Sequence, residues 1–319
     1  MAGIVDLEFE FPKSSISVPE MQRSSGRTEA DIRAWTGCEQ IPVFGAAELA
    51  WQLVSAVAAT VLQRAGVPPS EVGQVIVAGS GDWDYPAWSP AAKVAAELGA
   101  VAAHCFEVVN FCNAAAVAIQ IATDAIDAGR TRYALVLLGE RGSRGVDYHD
   151  PESLELFNTG DCAAALLLGC DGVTFELLGS RSRTDPSLSD YYVGEFADGA
   201  VVTRRRARQL TLPLTYLKNY QRLLTEVLSG LGMGIQEIRF LLVNQVDRRI
   251  HERLLAELGL PPERSVFNYS RFGHMGCADP FIALAELRRE GRLRPGDVVL
   301  LATSGAGFSW GVTALRCQP

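Results

Sequence analysis

Apolar residues recur along this chain in two alternating rhythms. An amphipathic stretch over Ala47–Ala65 has the spacing of a helix, and after Ser70-Glu71 the chain turns into the apolar run QVIVAG. The same succession returns later as Tyr216–Leu231, then Gln236-Glu237, then RFLLVNQ. The runs Val75–Val77, Tyr133–Leu138, Phe240–Val243 and Val298–Leu301 are almost continuously apolar, which predicts strands covered on both faces. Alternating helices and strands of this kind predict a layered α/β structure.

The repetition extends further. Residues 110–140 read as a helix ending in Ala-Gly-Arg followed by an apolar strand, and residues 274–301 read alike. Aligning Gly129-Arg130 with Gly291-Arg292 requires an offset of 162, and the same offset carries Cys112 onto His274. The chain is therefore expected to be a duplication, with an N-terminal half over 1–170 and a C-terminal half over 171–319. The turn-rich region from about 141 to 215 breaks the pattern and is expected to be a covering insertion that includes a hairpin-like strand around Ala163–Leu168.

Composition narrows the class. With 319 residues, 48% hydrophobic and 21% charged, the chain has ample core, which excludes a disordered architecture. A net charge of −8 argues against nucleic acid or anionic lipid as a partner. The uncharged stretch from Val298 to Leu315 is broken by Gly305, Gly307 and Gly311, which suits strand-turn-strand better than a membrane span. Asp6, Glu8 and Glu10 stand where a secretory leader would be basic and apolar, so the expected location is cytoplasmic. Seven cysteines without CxxC spacing fit reduced thiols, with neither a disulfide framework nor a metal site.

Cys112 follows the strand-like FEVVNF and opens an Ala-rich helix, whose first turn offers free N–H groups that favour a thiolate. His274, in FGHMG, is one of four histidines; His104, His149 and His251 are expected to be structural or solvated, the last on a helix surface. Asp279 follows His274 by five residues and could orient its imidazole, or could cap the helix that begins at Pro280. Gly305 and Gly307 flank Ala306 and allow a tight turn that joins two strands or aims an N–H at an oxyanion.

These residues resemble the thiolase superfamily, and within it β-ketoacyl-acyl-carrier-protein synthase III. The likeness rests on Thr28 to Gly37, on Cys112 at a helix start, on FNTGDCAAALLLG at 157–169, on FLLVNQVDRRI, on NYSRFGHMG and on SGAGFSWG. It implies a duplicated five-layered αβαβα fold, a homodimer, and an acyl-Cys112 thioester whose oxyanion is held by the N–H groups of Cys112 and Ala306. No permanently bound cofactor is implied; the substrate is a phosphopantetheine thioester on coenzyme A or acyl carrier protein.

Two departures from the family pattern shape the expectation. Condensing members carry His in a His-Gln-x-Asn segment and Asn in a Gly-Asn segment, whereas this chain reads Asn244-Gln245-Val246-Asp247 and Gly273-His274. The exchange resembles a branch of synthase III-like acyltransferases in antibiotic and polyketide biosynthesis. Their arrangement implies a Cys112, His274, Asp279 triad for transfer to an O, N or S acceptor, with Asn244 in support. The alternatives are a decarboxylative condensing enzyme and a non-catalytic partner subunit. Trp35-Thr36-Gly37 replaces the Arg-Thr-Gly of members that use coenzyme A, which favours a carrier-protein donor. Arg204, Arg205, Arg206 and Arg208 form the densest basic run for docking one. Trp83, Tyr85, Trp88 and Phe157 are candidate tunnel-lining residues.

Overall fold

The structure, a computed structural model, describes residues 2–197, 200–206 and 211–319. The chain opens with β1 (Gly3–Glu10), β2 (Ser15–Ser17), α1 (Val18–Ser25), α2 (Glu29–Thr36) and β3 (Gln40–Pro42). It continues through α3 (Ala50–Ala65), β4 (Val72–Gly79), α4 (Pro90–Leu98), β5 (His104–Val109), α5 (Ala114–Asp127), β6 (Tyr133–Leu138) and β7 (Ala163–Gly169). Next come β8 (Phe175–Thr184), β9 (Tyr192–Ala197), β10 (Ala200–Arg205), α6 (Leu212–Leu231), β11 (Phe240–Val243) and α7 (Arg248–Glu257). The last elements are α8 (Tyr269–Phe272), α9 (Asp279–Arg289), β12 (Val298–Gly305) and β13 (Ser309–Cys317).

Nine strands run in the order β11-β12-β13-β8-β1-β7-β6-β4-β5. The β1–β8 link consists of only two residue pairs, Gly3 with Glu176 and Ile4 with Phe175, so the array divides at that seam into two sheets. Helices α5 and α9 lie between the sheets, which is why both are buried along most of their length and why α5 is rich in alanine. Helices α3 and α4 cover the outer face of the first sheet, and α6 and α7 that of the second. The layers are therefore helix, sheet, helix, sheet, helix, as expected from the sequence resemblance.

Each half places a parallel pair beside antiparallel neighbours: β4 with β5 and β6, and β11 with β12. Burial on both faces explains the uninterrupted apolar runs of β6, β7 and β12. The run at 163–168 is not a hairpin strand of an insertion. It is part of β7, paired antiparallel to both β1 and β6 in the middle of the first sheet. The excursion from the double pattern is the β9–β10 ribbon, a separate two-stranded sheet. Among the described residues no helix is long and apolar enough to cross a membrane.

Candidate active site

The N-termini of α5 and α9 converge, and the duplicated turns before them carry Cys112 and His274. Phe111 turns the chain out of β5 with a φ of 49°, a left-handed conformation uncommon outside glycine, and so projects Cys112 from the strand end. Asn113 accepts a 2.6 Å hydrogen bond from the Thr303 hydroxyl, and Asn110 accepts one of 2.6 Å from the Ser309 hydroxyl. The turn that carries Cys112 is thereby tied to β12 and β13. Gly305 packs directly on it: a Cβ there would sit 2.8 Å from the Asn110 carbonyl and 3.1 Å from the Cys112 nitrogen. Ala306 follows on the cavity wall, in the hairpin turn between β12 and β13.

Cys112 Sγ lies 3.1 Å from His274 Nε2, and His274 Nδ1 lies 2.6 Å from Asp279 Oδ2. The backbone N–H of His274 donates to the Asn158 carbonyl, and the Gly160 N–H donates to the His274 carbonyl, which fixes the loop. Gly273 has a φ of 73° and a Cβ there would meet the Asn158 carbonyl at 2.4 Å, so glycine is required at that close approach. Asp279 is the first residue of α9, not a cap that binds its own helix. Its carboxylate accepts from the Gln245 and Met275 N–H groups as well as from His274. A carboxylate held this way accepts a hydrogen bond from Nδ1–H and leaves Nε2 to face sulfur. Burial alone would lower the pKa of His274, but the Cys112 sulfur and the Asp279 carboxylate outweigh it and hold the imidazole well above its ordinary value.

Asn244, in the position where condensing members were said to carry histidine, is engaged at both ends of its amide. Nδ2 donates to the Ser304 carbonyl at 3.0 Å, and Oδ1 accepts from the Tyr220 hydroxyl at 3.1 Å. The site opens on a cavity of about 1760 Å³. Trp83, Tyr85 and Trp88 line it as expected, but Phe157 does not; it is fully buried against Tyr148. Trp35, Arg248 and Arg249 lie on the wall, with the Arg249 guanidinium 4.8 Å over the Trp35 ring.

The basic run meets acids of its own chain. Arg204 pairs with Asp147 and Asp150, Arg205 with Glu152 and Glu155, and Arg206 with Glu195. The run thus pins the β9–β10 ribbon to the 147–155 segment; Arg208 lies outside the described residues. His251 is structural, one of the two expectations for it, but its placement on a helix surface is corrected: it is buried, hydrogen-bonded to the Ser265 and Tyr269 hydroxyls, and stacked on Phe267. Gln245 and Tyr220 went unread as site residues. Gln245 stood beside Asn244 in the quoted motif, whereas Tyr220 was one of several aromatics on a helix stripe and gave no separate signal. Among the described residues no group of three or more His, Cys, Asp or Glu side chains is arranged to hold a metal ion.

Two family models match the chain: 3-oxoacyl-[acyl-carrier-protein] synthase III over residues 106–186, and the C-terminal model of the same enzyme over 228–317. β-Ketoacyl-[acyl-carrier-protein] synthase III of Rhizorhabdus wittichii is 30% identical over 99% of this chain and 99% of its own. The structure of 3-oxoacyl-(acyl carrier protein) synthase III from Pseudomonas aeruginosa superposes with a TM-score of 0.88 at 26% identity, covering 100% of this chain and 98% of that one. The priming β-ketosynthase of the R1128 polyketide pathway superposes with a TM-score of 0.88 at 22% identity, covering 99% and 96%, which is a likeness of fold alone. The chain belongs to the 3-oxoacyl-[acyl-carrier-protein] synthase III family of thiolase-like transferases. Its relatives bear the name of a condensing synthase, so the comparisons favour the condensing alternative over the expected transfer to an O, N or S acceptor.

Proposed function

We propose that this chain is an acyltransferase that works through an acyl-Cys112 intermediate, with His274 as the proton carrier and Asp279 as its orienting carboxylate. The observation that carries the reading is the continuous relay from Cys112 Sγ through both nitrogens of His274 to Asp279, at 3.1 and 2.6 Å. In the first half-reaction the Cys112 thiolate attacks the thioester carbonyl, and the departing pantetheine thiolate takes the proton held on His274 Nε2. In the second, an acceptor hydroxyl, amine or thiol gives its proton to His274 as it attacks the acyl-enzyme, and collapse of the tetrahedral adduct releases Cys112. The N–H groups of Cys112 and Ala306 would stabilise the oxyanion in both steps.

Condensation is the second reading, favoured by the relatives' name. It needs two donors on the oxygen of a malonyl thioester as carbon dioxide leaves. His274 can be one, and Asn244 Nδ2, which gives one N–H to the Ser304 carbonyl while Oδ1 accepts from Tyr220, keeps a second N–H for the other. The carboxylate-oriented relay through His274 supports transfer, and a role in secondary metabolism rests on the resemblance to antibiotic-pathway acyltransferases alone. Intact-protein mass spectrometry with acetyl, malonyl and longer acyl thioesters separates the readings. Transfer gives an intact malonyl adduct in the wild type and none in Cys112→Ala; condensation gives carbon dioxide release. No adduct with any donor would favour a non-catalytic partner subunit.

The donor is taken to be a phosphopantetheine thioester on acyl carrier protein or coenzyme A, as the relatives' name suggests. Arg204 and Arg205 are paired and largely covered within the chain; Arg248 and Arg249 also pair, with Glu252 and Asp247, but they are well exposed and stand beside Trp35 on the cavity wall, so they are better placed for an acidic carrier. A homodimer is supported by β5, which ends the sheet order and leaves an unpaired edge beside the exposed Val109 and Phe111. Sedimentation at micromolar protein tests it, and a monomer would remove it.

A further inference from the structure

The mechanism above leaves one carboxyl on the cavity wall without a task. Glu140 follows β6, is surrounded by protein, and keeps accessible surface because it lines the cavity. Its Oε2 accepts from both the backbone N–H and the hydroxyl of Ser80, at the end of β4. Oε1 accepts no hydrogen bond among the described residues and faces the Gly276 backbone, where a Cβ would lie 3.1 Å from it. Gly276 is two residues past His274, so this free oxygen stands close to the reacting centre. No arginine or lysine pairs with Glu140 among the described residues, and burial with the neighbouring Asp82 and Asp161 raises its pKa despite the Ser80 hydrogen bonds. Because Glu140 keeps accessible surface on the cavity wall, this unpaired acceptor is open to a donor brought in by a ligand.

The topology indicates which ligand. Arg248 and Arg249 follow β11, at one end of the strand order, whereas Ser80 and Glu140 follow β4 and β6 in the other sheet, with the thiol and imidazole at the helix termini between the sheets. On the acyl-Cys112 reading, a pantetheine arm that entered past Arg249 and Trp35 would bring its carbonyl to Cys112 and leave the side of the cavity lined by Glu140 to the acyl chain. We propose that Glu140 is a specificity-determining residue that accepts a hydrogen bond from a hydroxyl or amino group borne by the acyl chain. The inference rests on the acyl-Cys112 reading.

The test measures loading of Cys112 from pantetheine thioesters of butyrate, 3- and 4-hydroxybutyrate, 3- and 4-aminobutyrate and 3-oxobutyrate. Wild type is compared with Glu140→Gln and Glu140→Leu by intact mass against time. The expected result is preferred loading of at least one hydroxyl- or amino-bearing chain over butyrate, with that ratio reduced roughly 10–100-fold in Glu140→Leu. Glu140→Gln keeps an oxygen for Ser80 and turns an N–H toward the cavity, so it should lose the same preference and gain one for the oxo chain. A merely structural carboxyl would not reverse the ranking, and the glutamine variant decides the matter if the leucine variant does not fold. Adducts formed with the same ratios in wild type and Glu140→Gln would overturn the inference while leaving the acyl-enzyme intact. No wild-type adduct with any thioester would overturn the acyl-Cys112 reading and this inference with it.

Discussion

His251 and His274 are both buried and both hydrogen-bonded through each ring nitrogen, yet their surroundings push them in opposite directions. Burial, then the charge of Arg248, lowers His251 to about 3. The folded chain therefore holds His251 neutral, while the unfolded chain protonates it below its ordinary value near 6.5. Its contribution to stability is present above pH 6.5 and is lost as pH falls toward 3, by up to about 1.4 kcal/mol per pH unit. His274, raised in the fold, contributes stability below 6.5 and loses it as pH rises through the folded value. Urea midpoints at pH 7 and pH 5.5 should differ less in His251→Gln than in wild type; an equal difference would remove His251 as the acid-sensitive group. Asp279→Asn should slow acyl transfer by roughly 10²–10⁴-fold through loss of the oriented tautomer, measured by single-turnover transfer from preloaded enzyme. Cys112 and His274 were legible because a repeat equated them. Asp279 stayed ambiguous between cap and orienting group because both uses need a carboxylate at the same place in sequence. The choice depends on the Gln245 N–H, which arrives from another element. His251 was misread although Leu254 and Leu255 share its face at helical spacing; the two arginines before it drew attention to the opposite side.

Elements show a similar division between what periodicity reveals and what packing decides. The apolar runs marked the strands, but the run at 163–168 was assigned to an insertion because turns surround it. Its lack of alternation, the sign of a strand covered on both faces, was the better guide. The hairpin between β12 and β13 illustrates contact that sequence cannot show: two glycines announced a turn, while its apposition to the nucleophile turn required the fold. Gly305→Ala should displace the Asn110 carbonyl or the Cys112 N–H and slow Cys112 loading by on the order of 10²-fold, with a smaller effect on thermal stability. Loading at the wild-type rate would show that the turn yields without moving the thiol. Alternation and duplication made a layered α/β structure legible and the family resemblance supplied its five-layer order, whereas the course of the β9–β10 ribbon depends on ion pairs between segments far apart in sequence.

For the whole molecule, charge distribution matters more than net charge. The surface is acidic overall at −8, and the arginine run chosen from sequence is spent on internal pairs. If Arg248 and Arg249 receive the carrier, the double variant Arg248→Glu and Arg249→Glu should raise KM about tenfold or more for a carrier-bound donor and weaken its salt dependence. A free pantetheine thioester should respond much less, and equal effects on both donors would place these arginines elsewhere in the cycle. The seam between the sheets bears on a different property. Cys112 follows β5 of the first sheet and His274 lies between β11 and β12 of the second, while only two residue pairs join β1 to β8. Turnover is therefore a vernier on how the two halves are docked. On gentle heating, slippage of a fraction of an ångström across the seam would silence the enzyme while every strand still contributes its ellipticity, so activity should fade at a lower temperature than the spectroscopic melt.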